Sequence, residues 1–195
     1  KLAGTKKLRR INYHIVFSDE LRPDVIESQF LVQLSGKVVL SPAAESKGVT
    51  WQGYLSRESI EELGAKIRNT APSGEQSKYT ETDFQLGMNN INFHDSSLRE
   101  LLESGGGIPG NYITAVGKTE WDQYRWNDHS IAEKKNIINS VDAVFTAAEN
   151  VTAFQRAREK LISEGVNSKL LDCSDAHDFM NSDNKDRIGN CFLWL

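Results

Sequence analysis

The sequence predicts an α/β fold with mostly parallel strands and helices packed outside them. Two observations carry this. Short runs rich in β-branched and aromatic residues alternate with longer stretches whose apolar residues recur at helical spacing, and the alternation is cleanest in the second half. The 195 residues also suffice for a single domain with a real core.

The elements follow in chain order. Ile11 to Phe17 alternates and reads as a strand, with Ser18-Asp19 as a turn or cap after it. Pro23 sits near the start of a helix through Ile26, Phe30, Leu31 and Leu34. Lys37 to Gly53 reads as a loop, broken by glycines and Pro42, with one short strand at Val38 to Leu40. A second helix opens at Ser56-Arg57-Glu58-Ser59, where Ser56 and Ser59 are alternative caps, and it sets Ile60, Leu63 and Ile67 on one face. Asn69 to Gln76 is a loop, Thr82 to Met88 a helix, and Ile91-Asn92-Phe93 fits either state. Ser96 is expected to cap a helix through Leu98, Leu101 and Leu102 that stops at Ser104-Gly105-Gly106-Gly107, with His94-Asp95 serving as capping chemistry.

In the second half, Asn111 to Val116 is a strand, followed by a polar loop from Gly117 to His129. Ser130 to Asn139 is a helix, Ala143 to Ala147 a strand, and Val151 to Ser163 a long helix ending at Gly165. Leu170 to Cys173 and Cys191 to Leu195 are the last two strands. Ligands of parallel α/β folds collect at the carboxyl ends of the strands, which singles out the loops 117–129 and 174–186.

Composition sets limits on function. The formal charge of −4 supplies no field that draws in nucleic acid, and the cluster Lys6, Lys7, Arg9 and Arg10 is local. No stretch approaches a membrane span and no signal-peptide core is present, so no membrane partner is expected. Cys173 and Cys191, both in apolar surroundings, suit a reducing cytosol, and the expected location is cytoplasmic. The chain starts at Lys1 and ends on an apolar strand, so it is expected to be a piece of a longer protein.

Cys173-Ser174-Asp175-Ala176-His177 is the most informative motif. In an extended chain residues i and i+2 point to the same side, so a strand stopping here aims Asp175 and His177 together off its carboxyl end. A carboxylate and an imidazole on one rim suit a divalent metal or an acid/base pair, and Ser174 could add a hydroxyl. The alternative is plain strand-end punctuation. His14, inside the first strand, is either a hydrogen-bonded core residue or a ligand. Trp121, Tyr124 and Trp126 either stack on a base or ribose or plug the rim as core. The triglycine follows a helix and lacks the Gly-Lys-Ser/Thr ending, which excludes a P-loop, and no Gly-x-Ser-x-Gly elbow is present.

These residues resemble the later part of a PHP (polymerase and histidinol phosphatase) domain, as found at the front of TrlF-type AAA-like ATPases. The resemblance rests on Asn12-Tyr13-His14-Ile15-Val16-Phe17, Ile26 to Leu31, Gly117 to Asp122, Lys134 to Ile138, Cys173 to His177, and Asp186 to Phe192. It implies a single PHP-like domain over residues 1–195, an incomplete or distorted β/α barrel, linked to a following ATPase domain. It also implies a metal-dependent phosphoesterase or nuclease of a bacterial protein, acting on phosphate esters or nucleic acid. Asp175 and His177 match the family's last ligand pair and His14 its mid-chain histidine, with Mn or Zn as the metal. The family's first His-x-His pair has no counterpart ahead of His14. Where its later histidine would stand this chain reads Val116-Gly117-Lys118, so that ligand is either lost or replaced by Glu120, Asp122 or His129. Three matching residues do not close a two-metal site, so a degenerate scaffold serving as a regulatory or interaction module is the alternative. A small-molecule binding domain without chemistry is a third.

Overall fold

The computed structural model describes residues 11–117, 131–148 and 150–173. The chain divides into two compact units. Phe17–Tyr112 forms one; the described residues up to Val16 and from Ile113 onward form the other.

In the first unit the chain enters α1 (Pro23–Ile26) with Pro23 in the first turn, where its fixed φ suits a helix and its missing N–H costs nothing. The expected single helix is interrupted by a π turn, Glu27–Leu31, before it resumes as α2 (Val32–Ser35). Phe30 and Leu34 face the interior, and the Phe30 ring meets Phe17 edge to face at 5.4 Å. The predicted short strand is β2 (Val39–Leu40), paired antiparallel with β3 (Ile91–Asn92) in the register Val39↔Asn92 and Leu40↔Ile91. A one-turn helix, α3 (Pro42–Glu45), lies where the sequence reads as loop. The Ser41 hydroxyl caps it by accepting from Ala44 N–H, and Pro42 opens its first turn.

Ser56, not Ser59, caps α4 (Arg57–Thr70): its hydroxyl accepts from Ser59 N–H. Ile60, Leu63 and Ile67 are buried on one face, each burial contributing about 1.5–3 kcal/mol. The Arg68 guanidinium then ties down the following loop, donating to the carbonyls of Tyr79 and Glu81 and to the Asp83 carboxylate. Thr82 and Gln85 form a reciprocal capping box at the start of α5 (Asp83–Asn90). Helix α6 (Asp95–Ser104) begins one residue before the expected Ser96 cap. His94 holds the cap position, its side chain makes no capping bond, and Asp95 supplies a carboxylate in the first turn.

Helices α4 and α5 pack backbone to backbone. A Cβ on Gly64 would overlap the Asp83 carbonyl, and one on Gly87 would overlap the Ile60 carbonyl. The two helices therefore depend on each other's missing side chain.

The second unit holds most of a four-stranded sheet in the order β1 (Tyr13–Phe17), β4 (Tyr112–Val116), β5 (Ala143–Thr146), β6 (Leu170–Asp172). Strands β4 (Tyr112–Val116), β5 (Ala143–Thr146) and β6 (Leu170–Asp172) are parallel neighbours, as the alternation predicts. They alternate with α7 (Ile131–Asn139), which buries Ile137 and Ile138, and α8 (Val151–Ser163), which buries Leu161. Asn150 caps α8 by accepting from Ala153 N–H.

Strand β1 (Tyr13–Phe17) runs the other way. Ser18 N–H donates to the Asn111 carbonyl (2.8 Å), and Gly117 N–H donates to the Asn12 carbonyl (3.4 Å). The end of β1 thus meets the start of β4, and its start meets the end of β4, which is antiparallel pairing. Residue alternation specifies a strand but not its direction. The sheet is accordingly mixed, and the described strands form no closed barrel.

Replacing Gly64 or Gly87 by Ala should lower the unfolding free energy by about 1–3 kcal/mol, read as a lower urea midpoint with an unchanged slope, because the strain of accommodating the overlap outweighs the helix-propensity gain of about 1 kcal/mol. Gly74→Ala, where a Cβ meets open space, is the control and should be close to neutral. Stabilisation by either helical substitution would contradict the close packing.

Candidate functional site

The carboxyl edge of the parallel strands is the place to build a site, and its exits are held firmly. Gly117, just past β4, is bound through its N–H to Asn12. Cys173, just past β6, donates its N–H to the Thr146 carbonyl (2.7 Å). The Asp172 carboxylate accepts from Ala148 N–H (2.9 Å), tying the chain after β5 to the end of β6. At the opposite edge Asp142 accepts from both the N–H and the hydroxyl of Thr114, each at 2.8 Å, and so sets the stagger between β4 and β5. Gly117 and Cys173 therefore stand at one sheet edge, since parallel strands end on the same side.

His14 comes to this edge because β1 is reversed. The antiparallel pairing sets it opposite Ala115, near the carboxyl end of β4. Ala115 in turn pairs with Ala143, two residues before Phe145. The His14 ring meets the Phe145 ring at a centroid distance of 5.1 Å and an angle of 66°. Strands β1 and β5 are separated by β4, roughly 9.6 Å apart at ordinary strand spacing. The rings reach each other because the intervening side chain is only a methyl, Ala115, itself 1% exposed. His14 is exposed, so it is not a core histidine. Its ring packs against the edge of the Phe145 ring.

The remaining candidates, Asp175, His177, Glu120, Asp122 and His129, lie outside the described residues, as do Ser174, Trp121, Tyr124, Trp126 and Cys191. Among the described residues no group of three or more His, Cys, Asp or Glu side chains is placed to hold a metal ion. His94 is exposed in the other unit, and the triglycine closes α6, with Gly107 in the left-handed region at φ +80°. Cys173 is half-buried. No described helix is long and apolar enough to cross a membrane.

Phe145 and Asp142 are the residues at these edges that motif reading misses. Phe145 looks like any core aromatic in a strand, and only the order β1-β4-β5 with a small residue between shows what it touches. Asp142 looks like turn punctuation before a strand, yet it bonds 28 positions away.

Comparison with known proteins gives no name to this arrangement: no family model, no curated protein and no solved structure matches the chain.

Phe145→Leu should move the His14 ring-proton resonances by several tenths of a ppm as the aromatic ring current is lost, and leave those of His94 in place. Unmoved His14 signals would show that the two rings do not meet in solution.

Proposed function

We propose that the chain is part of a PHP-type metal-dependent phosphoesterase or nuclease domain, belonging to an ATPase-linked bacterial protein, with its site at the carboxyl edge of the parallel strands. The observation that carries this reading is the placement of His14. The one described ligand candidate sits at the same sheet edge as Gly117 and Cys173, which in sequence precede Glu120, Asp122 and His129, and Asp175 and His177.

In this reading His14, Asp175 and His177 are metal ligands, and Asp175 and His177 also flank the reacting phosphate ester. The donor set of imidazole nitrogens and a carboxylate suits Mn²⁺ or Zn²⁺. Such a metal, when bound, supplies a Lewis acid for the phosphoryl oxygens and an acidified water. The chain's own contribution is positional. The Phe145 edge limits the swing of His14, and the Cys173–Thr146 backbone bond holds Cys173 at the end of β6. A phosphate ester or a nucleic-acid strand is the substrate class.

The reversed β1 favours a second reading. A β/α barrel is built from parallel strands, and an antiparallel β1 departs from that plan. A degenerate PHP scaffold, acting as a regulatory or interaction module for an attached ATPase domain, accommodates that departure without chemistry.

Mn²⁺ added well below stoichiometry separates the cases, because paramagnetic broadening detects weak binding. The expected result is selective broadening of the His14 and His177 ring protons over those of His94, abolished in Asp175→Asn. Uniform broadening of all three would remove these residues from the ligand set. Turnover of bis(p-nitrophenyl) phosphate that is lost in His177→Ala marks the catalytic reading, and selective broadening without turnover marks the scaffold.

A further inference from the structure

The first unit carries a groove that the proposed chemistry does not use. Its volume is about 510 Å³, within the usual range for small-ligand sites, and one wall is α2, which resumes after the π turn. Val32, Val38, Trp51 and Tyr54 supply apolar and aromatic surface, and Gln33 and Gln52 add two side-chain amides. No lining residue is charged.

The aromatic pair is arranged unequally. Trp51 is pinned: its indole N–H donates to the Ser59 carbonyl (3.1 Å), and Gly53 lies so close to the indole that a Cβ there would overlap it. Tyr54, by contrast, is 75% exposed, and among the described residues neither its ring nor its hydroxyl has a partner. The Gln33 and Gln52 side-chain amides also make no hydrogen bond among the described residues. A large aromatic side chain left in water beside two unused amides offers a stacking face next to paired donors and acceptors.

We propose that this groove binds a neutral, planar heterocycle of nucleobase type. An aromatic face takes any base by stacking, and a side-chain amide can donate and accept at once along a base edge. The absence of charge among the lining residues argues for a base or nucleoside over a phosphate-bearing strand, whose binding is dominated by cationic contacts. A peptide segment would be held chiefly by its backbone, and it makes less use of a single exposed ring flanked by amides. The inference is independent of the metal site: every group it uses lies in the first unit.

The test is saturation-transfer NMR with adenosine, guanosine, cytidine and uridine, each with excess EDTA, and with N-acetylglucosamine as a competing stacking ligand. At least one nucleoside should bind. Tyr54→Ala, at an exposed position where folding is not at stake, should weaken it at least about fivefold, the low end for one base on one aromatic ring. Gln52→Leu should change the ranking among the four nucleosides. The proposal is overturned if no nucleoside binds, if Tyr54→Ala binds as the unaltered chain does, or if only the sugar binds. Because metal is chelated throughout, failure here leaves the metal-site reading standing, and failure there leaves this one.

Discussion

Antiparallel pairing between Tyr13–Phe17 and Tyr112–Val116 decides where the candidate chemistry stands. Had β1 run parallel to β4 over the same residues, Tyr13 would lie beside Tyr112, and His14 would fall near the amino edge of the sheet. Reversal moves the imidazole to the other end, level with Ala115 and within reach of Phe145. A mixed sheet with a reversed strand is common in α/β proteins, and it changes which residues share an edge without changing any strand's alternation. The position of His14 is therefore a property of topology rather than of local sequence.

Within the first unit the controlling constraint is different in kind. Gly64 and Gly87 let α4 and α5 approach until each helix's backbone occupies the other's empty Cβ position. The Arg68 clamp then fixes the connection between those helices to Asp83 and to two loop carbonyls. Charge-assisted bonds to backbone carbonyls restrain a loop more than an exposed ion pair does, since the carbonyls cannot swing away as a long side chain can. Ser35 adds a further tie, its hydroxyl accepting from Leu55 N–H, which joins α2 to the segment carrying Trp51 and Tyr54. The groove is thus set by two fixed walls and a single exposed ring.

Much of the fold is legible in the sequence where a residue's role is local. The bounds of α8, the capping role of Ser56, and the strands at Val39–Leu40 and Ala143–Thr146 follow from caps and periodicity that neighbours in the chain determine. Even α3 has its signal, a serine cap followed by Pro42, hidden by the glycines around it. What could not be read are quantities fixed by distant partners. The direction of β1 depends on Asn111 and Gly117, and the contact of His14 on Phe145. Of the candidate site, only His14 falls within the described residues. Its exposure was not legible, because alternation in a strand says which residues share a face and not which face is covered.

The reversed pairing can be tested directly by proton NMR. In an antiparallel pair the residues opposite each other at non-hydrogen-bonded positions bring their α-protons close together. The pairing described here makes Ile15 opposite Thr114, and Tyr13 opposite Val116, such positions. Strong Hα–Hα cross-peaks between Ile15 and Thr114 and between Tyr13 and Val116 are the predicted result. Cross-peaks that instead join Tyr13 to Tyr112 and Ile15 to Thr114 amide protons in a parallel ladder would contradict it, and would take His14 away from the edge on which the proposed site depends.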